Sequence, residues 1–263
     1  MKSKMVPIGV LAALALLDND SAQGQINLGT AGSFAVLGGT TVTSTGATVL
    51  NGDLGVAPGS AITGFPPGSV SGTTYTSVNG NAAGAQTAEN DALAAYNTLT
   101  GQPVTQSLTG ATLGSGGTIL TLTPGVYFFS SSAQLTGQLV LSGSGNYIFL
   151  IGSTLTTASG SSIVLANGAQ AGNVFWQVGS SATIGTDTSL DGSILAETSI
   201  TLGTGADLDG RALALNGAVT LDDNTIDPPL AAVPEPSTLF AGALMLLPFG
   251  AGGLWTLRKK QIA

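Results

Sequence analysis

Cysteine and histidine are both absent from the chain. With neither thiolate nor imidazole, it offers no Cys nucleophile, no His general base and no zinc site of ordinary ligand type. No metal or other cofactor is expected. The missing cysteines leave the redox compartment open, because they suit export as well as the cytosol. Charge is sparse as well, at 8% of residues, and basic residues are the sparser sign. Five of the six (Lys2, Lys4, Arg258, Lys259, Lys260) lie in the end segments. Arg211 is then the one internal cation, expected to pair with a nearby carboxylate such as Asp191 or Asp209. A middle section this acidic repels phosphate backbones, which excludes nucleic acid as a partner.

What fills the chain instead is Gly, Ser, Thr and small apolar residues. Hydrophobic residues reach 43%, too many for a disordered polar tract, and they alternate with polar ones over long stretches. Short alternating runs bounded by glycine-rich turns predict an all-β sandwich, barrel or solenoid.

Both ends read as addresses rather than fold. Residues 1–24 combine Lys2 and Lys4, an apolar run from Met5 to Leu17 and small residues at Ala22-Gln23-Gly24, the layout of a secretory signal peptide. The alternative, a membrane-anchoring helix, would need a longer apolar run. At the other end Val233-Pro234-Glu235-Pro236-Ser237-Thr238 precedes an apolar stretch over 239–257 and then Arg258-Lys259-Lys260. That stretch is long enough to cross a bilayer, with the basic cluster on the cytoplasmic side. The order resembles the PEP-CTERM sorting signal (residues 233–263). The resemblance implies an exosortase as sorting partner, transient anchoring in the inner membrane, and delivery to the surface of a Gram-negative bacterium. A plain C-terminal anchor is the alternative.

Between 25 and 232 the chain repeats loosely. Ala182-Thr183-Ile184 aligns with Ile200-Thr201-Leu202 and with Val219-Thr220-Leu221, at offsets of 18 and 19 residues. The same register sets Leu190-Asp191-Gly192 over Leu208-Asp209-Gly210, and an earlier, longer turn sets Gly152-Ser153 over Gly179-Ser180. A repeat of this size suits one coil of a three-sided β-helix. Strand side chains alternate sides, so if Ile200 and Leu202 point inward, Thr201 points outward. Thr183 and Thr220 then join it in a column with a rung spacing of about 4.8 Å. From about 82 to 100 the pattern changes: Ala85, Ala88, Ala92, Ala95, Tyr96 and Leu99 recur at helical spacing, with Asn81 placed to cap the start. This helix is expected to lay its Ala/Leu stripe along the solenoid.

Several longer stretches carry a resemblance. Ser33-Phe34-Ala35-Val36-Leu37-Gly38-Gly39, Asn51-Gly52-Asp53-Leu54-Gly55-Val56, Gly64-Phe65-Pro66-Pro67-Gly68 and Leu122-Thr123-Pro124-Gly125-Val126-Tyr127 are similar to the ice-binding-like family of microbial antifreeze proteins. So are the segment from Asn173 to Thr183 and Gly210-Arg211-Ala212-Leu213-Ala214, though Asp209 stands where the family often has an amide. The likeness runs from about 26 to 226. It implies a right-handed discontinuous β-solenoid of triangular cross-section with one α-helix packed alongside, and ice as the partner of one flat face. It also implies a Thr-(Ala/Gly)-X-(Thr/Asn) pattern on that face. Thr45-Gly46-Ala47-Thr48 and Thr109-Gly110-Ala111-Thr112 fit it fully; Thr186-Asp187-Thr188-Ser189 and Thr204-Gly205-Ala206-Asp207 fit in part. The candidate ice-binding residues are therefore Thr45, Thr48, Thr183, Thr186, Thr201, Thr204 and Thr220.

Thr suits such a face because its stiff χ1 fixes a methyl and a hydroxyl together. On pattern alone, a good strand former on a solvated face explains the column equally. Asp187, Asp191, Asp207, Asp209, Asp222 and Asp223 could in principle hold Ca²⁺ or act as a sugar-hydrolysing pair. No nonapeptide Ca²⁺ repeat accompanies them, and Asp is common at turns. Trp176, Phe175, Tyr127 and Phe128 sit in apolar strands and read as core rather than as a sugar platform. The reading is a monomeric, non-enzymatic ice binder at or beyond the cell surface. Its alternative is an exosortase-sorted surface or matrix adhesin that holds polysaccharide or protein on the same solenoid.

Overall fold

A computed structural model describes residues 26–114 and 120–229. The expected signal segment (1–24) and sorting segment (233–263) lie outside the described residues. Among those residues no helix is long and apolar enough to cross a membrane.

The chain winds into a three-sided stack of coils in which strand pairing is parallel. One side stacks Thr74–Tyr75, Asp53–Val56, Phe34–Gly38, the second halves of Asp207–Ala214 and Ser189–Ala196, then Val174–Val178, Tyr147–Ile151, Gly125–Phe129 and Gln106–Ser107. The second side is an eight-stranded sheet running Ala61–Thr63, Thr41–Thr45, Val219–Asp222, Ile200–Leu202, Ala182–Ile184, Leu155–Thr157, Ala133–Leu135 and Thr112–Leu113. The third runs from Ser69–Val70 through Val49–Leu50, Thr225–Ile226, the first halves of the two long strands and Ser162–Ala166 to Gln138–Ser142 and Leu120–Leu122. The expected registers hold, with Thr183 beside Thr201, Thr201 beside Thr220, and Leu190-Asp191-Gly192 beside Leu208-Asp209-Gly210.

Coil order differs from chain order. Val36-Leu37-Gly38 pairs on one edge with Ala212-Leu213-Ala214 and on the other with Leu54-Gly55-Val56. The first coil is thus inserted between the last coil and the second. After the second coil the chain must return to the far end of an eight-rung stack, seven spacings or about 34 Å away. The helix Ala82–Thr100 makes that crossing, and its 19 residues span about 28 Å. Alternation fills the interior: Val42, Leu155, Ala182, Ile184, Ile200, Leu202, Val219 and Leu221 are buried between exposed or half-exposed neighbours. Tyr127, Phe149 and Trp176 occupy successive rungs and stack, with ring centroids 5.5 and 4.0 Å apart. The Trp176 indole donates to the Asp191 carbonyl at 2.9 Å. These aromatics are core, as their strands predict.

The helix buries Ala85, Ala88, Ala92, Ala95 and Leu99 against Phe34, Leu37, Ile148, Phe175, Leu195 and Leu213. Alanines let the helix axis approach the sheet closely, and Gly55 opposite Ala85 leaves no room for a side chain of its own. Asn81 stands at the N-cap position but does not cap through its side chain. Its amide instead accepts from the Thr76 N–H and donates to the Thr74 carbonyl, fixing the preceding loop. Arg211 also departs from expectation. Its guanidinium donates to the Gly32 and Pro229 carbonyls and to Ser193 Oγ rather than to Asp191 or Asp209. Burial and the local carbonyls suit this, because the cation ties together segments from both ends of the described chain.

One residue on the buried stripe is an acid. Glu89 is 6% exposed, its Oε1 has no hydrogen-bond partner among the described residues, and burial pushes its pKa up to about 8. The folded protein therefore holds a proton that the unfolded chain releases near its ordinary value of 4.5. Stability should fall as pH rises from about 4.5 to 8 and then level off. At about 1.4 kcal/mol per pKa unit, the fall amounts to a few kcal/mol. Asp191, pushed up to about 7 by burial and then by Asp209, adds a slope of the same sign. The difference between Glu89→Gln and the parent, measured by urea unfolding across that range, isolates Glu89: the variant should lose the Glu89 share of the slope, keep that of Asp191, and gain stability at pH 8.

Candidate functional site

The second side of the solenoid carries an outward column along its middle. Strand pairing places Thr63, Thr43, Thr220, Thr201, Thr183, Thr156, Gln134 and Thr112 on successive rungs. Each is exposed or half-exposed, while its inward strand neighbours pack in the core. Seven of these eight rungs bear Thr. The predicted trio of Thr183, Thr201 and Thr220 forms its centre. Two strand residues earlier, Thr154 and Ser132 continue the hydroxyl surface and bond to each other at 2.8 Å.

At the far margin of this face the chain turns toward the third side, and a second column stands there: Thr45, Asp222, Thr204, Thr186 and Ser159. Thr45 pairs with Asp222 in the ladder, and backbone bonds from Gly205 to Asp222, Asp187 to Thr204 and Gly160 to Thr186 continue the series. Three of the predicted residues, Thr45, Thr186 and Thr204, meet here and are exposed. Their hydroxyls are ordered. Thr45 Oγ1 donates to Asp222 Oδ1 at 2.6 Å, Thr204 Oγ1 donates to Asp222 Oδ2, and Thr186 Oγ1 donates to Ser159 Oγ at 2.8 Å. The Thr204 hydroxyl, and then that of Thr45, hold the Asp222 carboxyl below the usual carboxylate range.

The next residue of every one of these turns has a left-handed backbone: Gly46 (φ 70°), Asp223 (51°), Gly205 (69°), Asp187 (54°) and Gly160 (68°). That conformation favours Gly and tolerates Asp, which explains the recurring Thr-Gly, Thr-Asp, Asp-Asp and Ser-Gly pairs. Below the turn sit buried polar groups, each satisfied by the corner itself. Asn224 donates to the Gly203 and Ala206 carbonyls at 2.8 and 2.9 Å and accepts from the Asp222 N–H. Thr188 meets Thr157 Oγ1 at 3.2 Å, and Thr157 accepts from the Gly185 N–H.

Thr48 belongs to this buried set, not to the surface. It is fully buried, accepts from Ser44 Oγ at 2.8 Å and from the Asn224 N–H at 3.2 Å. The cause is one extra residue. Between Thr45 and Val49 the chain has Gly46, Ala47 and Thr48, whereas between the paired Asp222 and Thr225 it has Asp223 and Asn224 alone. The longer turn brings Thr48 to the interior position that Asn224 holds one rung away. Thr43, Thr63, Thr156 and Gln134 went unpredicted, and Thr112 entered only through the motif at 109–112. Of the five, Thr112 alone stands in an apolar-Thr-apolar triplet like the trio, while Thr43, Thr63 and Thr156 have an apolar neighbour on one side only. Their offsets are irregular, as with the 27 residues between Thr156 and Thr183, or depend on the coil insertion. The six aspartates do not converge on one point: Asp187, Asp222 and Asp223 serve the turns, while Asp191, Asp207 and Asp209 lie on the third side.

Comparison with known proteins is consistent across sequence and fold. The ice-binding-like family model matches residues 36–227. An ice-binding protein of Nostoc sp. (strain HG1) is 54% identical over 226 residues, covering 81% of each chain. One from Flavobacterium frigoris (strain PS1) is 35% identical and covers 78% of this chain and 76% of its own. The crystal structure of an ice-binding protein from the Antarctic ascomycete Antarctomyces psychrotrophicus superposes with a TM-score of 0.73 at 39% identity, covering 78% of this chain and 99% of that one. An ice-binding protein from an Arctic yeast gives 0.72 at 32% identity, over 80% and 97%.

The corner network makes a stability prediction. Asn224→Ala strands two buried carbonyls and one N–H, each costing about 1–3 kcal/mol when unsatisfied. The variant should lose on the order of 3 kcal/mol in denaturant unfolding at neutral pH, whereas Asn216→Ala, on an exposed turn, should lose far less.

Proposed function

The chain belongs to the ice-binding-like family, and from that premise we propose that it adsorbs to ice through the threonine-bearing side of its solenoid and so restrains ice growth and recrystallisation. The carrying observation is the in-register column from Thr63 to Thr112, seven threonines on eight rungs. Thr43, Thr183, Thr201 and Thr220 form its middle, and Thr45, Thr186 and Thr204 extend the surface at its margin. Thr48 has no part in it.

The mechanism is adsorption without bond making. Rungs about 4.8 Å apart, and side chains about 6.6 Å apart along a strand, form a two-dimensional lattice held by backbone hydrogen bonds. On it each Thr methyl restrains neighbouring water while the hydroxyl anchors it. Such contacts are weak singly and act together because the plane is rigid. The sparse charge of the column helps, since ions order water in shells unlike those of a crystal. An adhesin reading draws no comparable support: Tyr127, Phe175 and Trp176 are buried, so the aromatic platform that sugar rings stack on is not at the surface.

Function on extracellular ice requires export. Residues 1–24 serve as the signal, and residues 233–263 serve as the sorting segment that an exosortase processes, with the solenoid released to or held at the cell surface as a monomer. The sequences of those segments support this part of the reading.

Thr201 lies mid-face, so Thr201→Tyr should abolish most thermal hysteresis and recrystallisation inhibition in residues 25–232 while leaving the unfolding transition within about 1 kcal/mol of the parent, as surface substitutions do. Full activity in the folded variant would move the binding surface to another side.

A further inference from the structure

Asp222 stands in the marginal column where its neighbours are Thr, and it is the one carboxylate among Thr45, Asp222, Thr204, Thr186 and Ser159. As a charge beside a water-ordering plane it looks like a flaw. Its contacts argue otherwise. Both carboxylate oxygens are engaged from within the face, Oδ1 by the Thr45 hydroxyl and Oδ2 by the Thr204 hydroxyl. The carboxylate is therefore shared between two exposed threonines on the rungs either side of it. One of these threonines comes from the first coil and the other from a late one.

We propose that Asp222 is a positioning residue of the ice-binding face, locking the rotamers of Thr45 and Thr204 so that both present fixed methyl and hydroxyl groups across the junction of the two chain ends. The proposal rests on the assignment of this face to ice. A threonine in a strand is stiff at χ1 but still chooses among staggered wells when its hydroxyl has only water to bond. Here each hydroxyl donates to the carboxylate, with the Leu221 carbonyl a longer second acceptor for Thr45 at 3.5 Å, and charge-assisted bonds of this kind are roughly twice as strong as neutral ones. Fixing the hydroxyl fixes the methyl with it. Binding then orders neither side chain, an entropic saving that would otherwise oppose adsorption. The lowered pKa of Asp222 fits an acceptor that stays ionised through the neutral range.

The backbone of the turn does not need this side chain. The Asp222 N–H is held by Asn224 Oδ1, and the ladder pairing with Thr45 is made by main chain. Asp222→Ala is thus expected to keep the fold. It should raise the concentration needed for equal recrystallisation inhibition about fivefold, the cost of re-ordering two freed side chains. Asp222→Asn keeps an acceptor for one hydroxyl and a donor for the other, and should restore most of the activity. Three-bond couplings to the Thr45 and Thr204 methyl carbons give a readout independent of ice: single rotamers in the parent and Asp222→Asn, averaged values in Asp222→Ala. Unchanged couplings in Asp222→Ala overturn the proposal, as does equal or greater inhibition by that folded variant while Thr201→Tyr is inactive. If the parent itself leaves ice unaffected, the assignment of the face fails and this role fails with it; averaged couplings would then record a structural contact alone.

Discussion

Parallel, in-register hydrogen bonding between coils is the constraint from which the rest follows. It repeats one backbone cross-section along a line, so any residue type repeated at one position of the coil becomes a row at fixed spacing. Leu, Ile and Val at inward positions make a continuous core, and Thr at the intervening position makes a surface lattice. The rigidity of that lattice is borrowed from main-chain bonds and costs the threonines nothing. The buried corner beneath it, with Asn224, Thr48, Thr157 and Thr188 satisfying turn backbone groups, keeps the margin of the face as firm as its middle.

The helix answers a topological need before a functional one. Once the first coil is inserted between second and last, the chain has to travel the length of the stack, and a helix does so with its own backbone satisfied. An alanine stripe lets it lie close against a side that would otherwise expose Phe34, Leu195 and Leu213. That leaves the opposing sides free for solvent. Glu89, carried on the same stripe, shows that this packing holds an uncompensated acid at some expense of stability, balanced by the surrounding apolar burial.

Local repetition made much of this legible beforehand. Thr183, Thr201 and Thr220 share offsets of 18 and 19 residues, and alternation between apolar neighbours set their direction. The helix showed in its alanines. What stayed hidden depends on distance along the chain or on a single inserted residue. Thr43 and Thr63 enter the column through pairing between residues 177 positions apart, such as Thr43 with Thr220, which no local pattern encodes. Thr48 matched the expected motif by letter, but a turn one residue longer than its neighbour's turned it inward. Arg211 near two aspartates suggested an ion pair; the carbonyls of Gly32 and Pro229 are better placed. The likeness to the family supplied the discontinuity that periodicity could not.

The insertion of residues 34–50 beside residues 207–226 also sets an order of events. A solenoid that winds in chain order can grow coil by coil as it leaves the ribosome or a translocation pore. This one cannot, because its earliest coil has to wait for its latest to provide an edge. The threonine column is completed by a long-range closure, because Thr43 and Thr220 become neighbours only once both ends of the described chain are in place.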